Sequence, residues 1–385
     1  MRAFLKQVRR LQGSEFPQEE GREALAQLET HFETLHNEGQ LLPDTAAESL
    51  IQEWVDKIDQ SMPAYTNILG FILRSTNTRN AFEVYYPIKR LIHLVLGEQY
   101  HLMLSSEWDF IPFVWPLNLE FLPEFVLVGL PAPESGNVLL IPLSAHEVGH
   151  SAWVRHDLES KVGPTIDGLV NAVLQPLDPV SADIQSYIAT VAKVQAQEVF
   201  CDLFAIKIFR ESYVFAFAYF MSSCRTERDP VDPALYPSIP DRFSYIMQAG
   251  GALGLTIPPE LLAEFSTRQI VVSDGEGEGM ETKAVDAAVA MAVPELQRIA
   301  FEVVEDANVP VVRKSFVKNV LRALRSGEPY GGSAFLSEIV IAGWYALMEE
   351  GGLSSDGDQK KYDLLMEILL KTVEVSEYVR RVDAS

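Results

Sequence analysis

Cysteine and histidine are scarce in this chain. Of its 385 residues, only 2 are cysteines, Cys201 and Cys224, and only 7 are histidines. Two cysteines cannot build the disulfide framework of a small secreted domain, and such low usage is typical of proteins in a reducing cytoplasm. The sequence therefore predicts a cytoplasmic protein. Any metal site that uses histidine must draw on a short list of candidates.

Basic residues and long apolar runs are also lacking. The chain carries 31 Lys and Arg against 54 Asp and Glu, a formal net charge of −23. Nucleic-acid binding and attachment to anionic membranes need basic patches, so this balance argues against both. No run approaches the roughly 18 consecutive apolar residues of a membrane span. The apolar fraction of 48% is ordinary for a globular protein.

Helical periodicity is the main pattern that is present. In the N-terminal region, residues 1–105, apolar residues such as Leu25, Leu28 and Phe32 recur at three- and four-residue spacing. Further elements are predicted as helices over about residues 182–209 and 213–222, a proline-rich loop over 225–240, an acidic glycine-rich loop over 273–280 and more helix in the C-terminal region, 256–385.

One short stretch indicates β-structure. The apolar runs 124–130 and 137–143 flank a segment that contains Pro131, Pro133 and Gly136, which predicts a β-hairpin. The fold class is therefore predominantly α (α+β). We expect three regions, 1–105, 106–255 and 256–385, or one compact unit that contains them all.

The motif around which the chain is organised follows this hairpin. Residues 146–150 read His-Glu-Val-Gly-His, the pattern H-E-x-x-H. Positions four apart share one face of a helix, so His146 and His150 can both reach a zinc ion at about 2.0–2.1 Å. Glu147 lies beside them, where it can accept a proton from a water that the zinc activates. The motif predicts a zinc-dependent hydrolase.

The start of this helix bears on the role of Glu147. Pro142 suits the first turn of a helix. Alternatively, Ser144 with Glu147 three residues later fits a capping box, which would occupy the carboxylate of the base. We favour the earlier start at Pro142.

A catalytic zinc usually has three protein ligands, and two candidates compete for the third position. His156 completes the spacing H-E-x-x-H-x-x-G-x-x-H of metzincin peptidases, but Trp153 occupies the glycine position. That glycine allows a sharp turn, and Trp would incur the steric cost of a positive φ. If the helix simply continues, His156 points away from His150.

The second candidate is Glu198, in the string Glu198-Val-Phe-Cys201-Asp202. With H-E-x-x-H, this E-x-x-x-D spacing resembles the gluzincin peptidases. The resemblance implies that Glu198 is the third zinc ligand and that Asp202 accepts a hydrogen bond from a ligating imidazole. Cys201 either faces the core or acts as a soft ligand.

The resemblance extends to the soluble relatives of the CAAX prenyl protease family, over roughly residues 125–245. Tyr236-Pro237 and Arg242 have the spacing of that family's H-P-x-x-x-x-R, with Tyr in place of His. A peptidase also needs a donor that stabilises the oxyanion. The candidates here are Arg242 first and Tyr213 second, followed by Tyr236 and Tyr245.

Together these residues predict a zincin-like catalytic core with helical extensions at both ends. We expect Zn²⁺ as the cofactor and a protein or peptide as the substrate, with room for control by a regulatory protein partner. A strand from the hairpin could pair with an extended substrate. Two alternatives are a non-catalytic, zinc-stabilised scaffold or regulatory protein, and a helical interaction protein without metal.

Overall fold

A computed structural model describes the chain in eleven segments and packs it into two compact units. One unit comprises Met1–Tyr85 and Glu98–Ser135, and the other comprises Tyr86–Gly97 and Gly136–Ser385. The described segments are residues 2–16, 18–41, 48–75, 81–107, 113–114, 121–131, 136–176, 180–221, 235–258, 279–349 and 359–384. Cys224, the predicted hairpin turn at 132–135 and most of the two predicted loops, at 225–234 and 273–278, lie outside these segments.

The first unit combines helices with a small sheet. Its helices are α1 (Arg2–Leu11), α2 (Glu20–Leu41), α3 (Glu48–Arg74) and the beginning of α4 (Ala81–Val95), which continues into the second unit. The predicted periodicity is confirmed in α2, where Leu25, Leu28 and Phe32 are fully buried. They share one core with apolar residues of α1, α3 and the sheet, because apolar residues three and four apart form a single stripe on a helix.

The sheet has the strand order β1–β3–β2 among the described residues. Strand β1 (His101–Glu107) pairs in parallel with β3 (Phe125–Pro131), so that His101 lies opposite Phe125. Strand β2 (Phe113–Val114) pairs with β3 in the antiparallel direction. The helical prediction for residues 101–105 is therefore wrong. Leu102, Met103 and Leu104 are all buried, and such continuous apolar runs are typical of covered parallel strands.

The predicted hairpin of residues 124–143 is also wrong in its second half. Its first run is β3, but residues 138–140 form a 3₁₀ turn. The side chain of Asn137 caps this turn by accepting a hydrogen bond from the Leu139 N–H at 3.1 Å, and the Leu139 carbonyl accepts one from Trp344 Nε1 at 3.1 Å. A short buried apolar run fits a strand and a buried helical turn equally well, and here local capping selects the turn.

The second unit is helical throughout its described part. Its central element is α7 (Ala182–Phe209), which has the bounds that the sequence predicts and packs against helices on several sides. Arg210, with φ of 57°, ends α7 and leads into α8. The other helices are α5 (Pro142–Arg155), α6 (Leu158–Leu174), α8 (Glu211–Met221), α9 (Ile239–Ala252), α10 (Met280–Asp306), α11 (Lys314–Arg325), α12 (Leu336–Glu349) and α13 (Gln359–Ala384).

The structure confirms a predominantly helical chain with a small sheet. Across the described helices, no 18-residue window is apolar enough to cross a membrane. Regions 1–105, 106–255 and 256–385 stay a prediction, although β1 spans the first boundary and α7 of the middle region packs against α10 of the last.

Candidate metal centre

The helix that carries the H-E-x-x-H motif begins at Pro142, as predicted. Pro142 lies in its first turn, where a missing N–H costs nothing. The Ser144 hydroxyl donates to the Ile141 carbonyl at 2.7 Å, and no side chain caps the helix. Glu147 is therefore not held in a capping box, and its carboxylate is available to the site.

Helices α5 and α7 meet at Gly149 and Cys201. A Cβ at Gly149 would lie 3.0 Å from Cys201 Cα and 3.1 Å from its Sγ, so a larger residue there would push the helices apart. Gly149 lies three residues after His146, so the two are neighbours on one face of α5. Cys201 is likewise a neighbour of Glu198 on α7, since residues three and four apart are neighbours on a helix. The close approach therefore places the two motifs face to face.

Glu198 lies opposite both histidines. Its Oε2 is 3.2 Å from His146 Nε2, and its Oε1 is 3.5 Å from His150 Nε2. Two donors that bind one tetrahedral zinc at about 2.0–2.2 Å lie roughly 3.3–3.6 Å apart. The separations of these nitrogens and oxygens are therefore close to those of a zinc ligand set.

One buried oxygen of Glu198 lacks a hydrogen bond from the described residues. Although Glu198 Oε2 is near His146, no donor among the described residues is aligned with it well enough for a hydrogen bond, and it is buried. A buried carboxylate oxygen without a donor is costly, and a cation satisfies it. The residues present thus fit a bound metal ion.

Cys201 is the third member of a group that could hold a metal. Nitrogens of His146 and His150 and the Sγ of Cys201 all lie within 4.8 Å of one another. The thiol is free and fully buried. Burial, together with the nearby carboxylates Glu198 and Asp202, raises the pKa of Cys201 well above its usual value in the absence of a metal. Sequence reasoning placed this thiol in the core, and the structure places it in the core beside the histidines.

Asp202 orients His146 and is itself held by hydrogen bonds from two other residues. Its Oδ1 accepts hydrogen bonds from His146 Nδ1 at 2.9 Å and from the Tyr213 hydroxyl at 2.6 Å. Arg242 donates to both oxygens, through Nε at 2.8 Å and Nη2 at 2.7 Å. Burial would raise the pKa of Asp202, but the charge and hydrogen bonds of Arg242 lower it far below its usual range. The carboxylate therefore stays ionised and fixes the tautomer and orientation of His146.

The two histidines of the motif differ electrostatically. Burial would lower the pKa of His146, but its hydrogen bond to Asp202 and the negative charges of Asp202 and Glu198 outweigh burial and raise the pKa to about 10. Burial lowers the pKa of His150 to about 4. The difference follows from the contact of His146 with the ionised carboxylate of Asp202.

Glu147 is buried beside the histidines. Its pKa is raised to about 7, chiefly by burial, although the charge of His146 opposes the shift. A group that titrates near neutral pH can both accept and release a proton, which is what a general base must do.

The structure also locates the remaining predicted residues. His156 is the C-cap of α5. Among the described residues, the group of donors within 4.8 Å of one another is His146, His150 and Cys201, and it includes neither His156 nor Glu198. Tyr213 and Arg242, the first candidates for oxyanion stabilisation, both bind Asp202. The half-buried Tyr236 has its ring centre 6.0 Å from the guanidinium carbon of Arg242, and Tyr245 is buried on α9.

Sequence reasoning missed the importance of Gly149. It lies inside the motif, at a position where H-E-x-x-H allows any residue, and only the packing of α5 on α7 shows why it is small. Gly149 is three residues after His146, and Cys201 is three residues after Glu198, so each lies beside a predicted metal ligand on its own helix. This spacing was the signal in the sequence that could have indicated the contact.

No protein-family model, curated protein or solved structure matches this chain, so the argument for its function rests on the chemistry of this site.

Proposed function

We propose that this chain is a zinc-dependent metallopeptidase of the gluzincin type, with zinc held by His146, His150 and Glu198. The observation that carries the proposal is the position of Glu198, whose two oxygens face the Nε2 atoms of the two histidines at 3.2 and 3.5 Å. Two imidazoles and one carboxylate form a ligand set that leaves a fourth position for a catalytic water.

Bound zinc supplies a Lewis acid that polarises a carbonyl and lowers the pKa of water to about 7. Glu147 accepts the proton of the attacking water and donates it to the leaving amine. Its burial supports this role, because it raises the pKa to about 7 and so favours proton exchange near neutral pH. Asp202 keeps Nδ1 of His146 protonated, so that Nε2 faces the metal position.

Arg242 and Tyr213 support the site by holding Asp202. The single O–H of Tyr213 donates to Asp202, and so it is not available to a substrate at the same time. Asp202 accepts from two nitrogens of Arg242, which leaves other N–H groups of the guanidinium for an oxyanion. We keep Arg242 as the proposed oxyanion donor, with Tyr236 as the second candidate.

A protein or peptide is the proposed substrate, and control by a regulatory partner remains part of the proposal. The predicted second strand of the hairpin cannot pair with a substrate, because residues 138–140 form a 3₁₀ turn and Pro142 begins α5. The substrate class therefore rests on the ligand set and base alone, which together suit hydrolysis of an amide bond.

The test uses wild type and Glu147→Gln side by side. Both proteins should contain about one zinc per chain by elemental analysis, because Glu147 is not a ligand. New peptide termini in a treated lysate should depend on Glu147 and disappear with a chelator. We expect the variant to be about 10²–10⁴-fold less active, the usual contribution of general-base catalysis. Equal activity of the two proteins would contradict the mechanism.

A non-catalytic, zinc-stabilised scaffold is the second candidate. The proximity of Cys201 to both histidines favours it, because structural zinc sites are closed by four protein ligands. Bound zinc without any Glu147-dependent cleavage would support this alternative. Absence of metal from the purified protein would instead support a helical interaction protein.

A further inference from the structure

The cysteine beside the motif histidines is unusual for a site that must admit water. Cys201 Sγ and nitrogens of His146 and His150 lie within 4.8 Å of one another. A thiolate and an imidazole bound to one tetrahedral zinc are roughly 3.6 Å apart. The thiol and imidazoles therefore need to approach by at most about 1.2 Å to share a metal ion.

The thiol of Cys201 lies at the close contact between α5 and α7. Cys201 is fully buried, and its Sγ lies 3.1 Å from where a Cβ on Gly149 would be. The absence of a side chain at Gly149 thus leaves room for the sulfur between the two helices. Glu198, one turn earlier on α7, has a buried oxygen without an aligned donor next to the same histidines. Two independent features, the thiol and the unsatisfied carboxylate, thus lie beside the same two histidines.

Charge balance gives a third reason. Asp202 is already paired with Arg242 at 2.7 Å, so Glu198 is the one negatively charged group among the three ligands proposed above. A divalent cation bound to Glu198 and two neutral imidazoles keeps one positive charge. A thiolate removes that charge and is also a softer, stronger zinc donor than water.

We propose that Cys201 is the fourth ligand of the metal in the resting protein. The site then has four protein donors, His146, His150, Glu198 and Cys201, and its position for water is closed. This inference rests on the proposed zinc site and makes the protein a latent enzyme, in which the thiol must leave the metal before water can bind.

The test uses cobalt(II) as a spectroscopic substitute for zinc in the full-length chain. A cobalt-bound thiolate gives a sulfur-to-metal charge-transfer band in the near-ultraviolet. Cys224→Ala is the reference protein, because Cys201 is then its sole thiol. We expect the band in this protein and its loss in Cys201→Ser/Cys224→Ala, whose fold is checked by circular dichroism.

Zinc affinity gives a second readout that does not depend on activity. Loss of a residue that only supports a ligand typically weakens affinity about 10–100-fold, so loss of a direct donor should weaken it at least about tenfold. Competition with a chelator measures this in Cys201→Ser and Cys201→Ala. The same variants should cleave peptides faster than wild type, because the water position is open.

The outcomes separate this inference from the proposed function. A cobalt-loaded Cys224→Ala protein without the band would overturn ligation by Cys201 but leave the three-ligand site intact. If the Cys201 variants fail to fold, the presence or absence of the band in Cys224→Ala still decides whether Cys201 binds the metal. The band together with no Glu147-dependent cleavage, even in folded Cys201→Ser, would support ligation but contradict the peptidase assignment. A protein that binds neither cobalt nor zinc would overturn both.

Discussion

Two buried glutamates of the helical unit have opposite surroundings. Glu338, on α12, is fully buried and accepts four hydrogen bonds, from the N, Nε and Nη2 atoms of Arg313 and from the backbone N–H of Phe335, at 2.8–2.9 Å. Glu198, on α7, is buried to a similar degree, yet its Oε2 has no aligned donor among the described residues. The protein satisfies the first carboxylate completely and leaves the second incomplete.

The difference indicates what each carboxylate is for. The Glu338–Arg313 pair is completed by aromatic rings, with the Arg313 guanidinium 3.5 Å from the centre of Phe316 and 4.4 Å from that of Phe335. Such a pair needs nothing from outside and ties α12 to the segment before α11. Glu198 instead shares its surroundings with two imidazoles and a thiol, all of them metal donors. An unsatisfied buried group in such company indicates a site that could hold a metal ion rather than poor packing.

The largest expected effect is the loss of metal from the Glu198 site. Wild type should gain about 4 kcal/mol of unfolding free energy at a free zinc concentration of 1,000 times Kd. Glu198→Ala should lose stoichiometric zinc and most of this gain, because the variant lacks the carboxylate among the proposed ligands. Chemical denaturation with and without zinc measures both values. A zinc-dependent gain that persists unchanged in Glu198→Ala would remove Glu198 from the ligand set.

The next effect concerns the satisfied carboxylate. Arg313→Met should destabilise the chain by about 3 kcal/mol, because it strands the buried charge of Glu338. We expect the lower end of the usual range of about 3–5 kcal/mol, since two backbone N–H donors remain. Zinc affinity should be unchanged, because the two carboxylates share no partner. A large change in zinc affinity would show that the two regions are coupled and would break the comparison.

Asp202 lies between these two extremes, since protein groups satisfy it while it supports a metal ligand. Asp202→Asn retains the size of the side chain but removes the charge that orients His146 and pairs with Arg242. We expect zinc affinity to fall about 10–100-fold without being abolished. Tyr213→Phe is the matched control, because it removes one hydrogen bond from Asp202 and keeps the charge. An equal loss in both variants would argue that the hydrogen bonds of Asp202, and not its charge, support the site.

Helix-spaced patterns made the site largely predictable from the sequence. His146 with His150, and Glu198 with Asp202, are four residues apart, and a helix places each pair on one face whatever the rest of the fold. Pro142 fixed the start of α5, because only the first turn of a helix tolerates proline without loss. These are local rules, and they hold before any tertiary contact forms.

The remainder depends on contacts between distant residues. The parallel pairing of β1 with β3 joins His101 to Phe125 across a long connection, and no local pattern specifies it. Residues 137–143 were predicted as a strand, because a short apolar run has no periodicity that distinguishes a strand from a helical turn. The hydrogen bond from the Leu139 N–H to the Asn137 side chain instead stabilises a 3₁₀ turn. The convergence of Arg242 and Tyr213 on Asp202 likewise follows from how α8 and α9 pack on α7, which spacing alone does not determine.

The smallest expected effect belongs to His156, the rejected third ligand. His156 caps the C-terminus of α5 through its backbone N–H, which donates to Ala152 at 2.9 Å, and this bond survives substitution. Its ring is half-buried, and burial lowers its pKa, so it adds no cation to the site. His156→Ala should therefore keep one zinc per chain and cost about 1 kcal/mol of stability.

His150→Ala is the matched comparison, because it removes an imidazole from the same helix but should lose the metal. If elemental analysis found zinc lost from His156→Ala and kept in Glu198→Ala, the third ligand would be His156, and the unsatisfied oxygen of Glu198 would need another explanation.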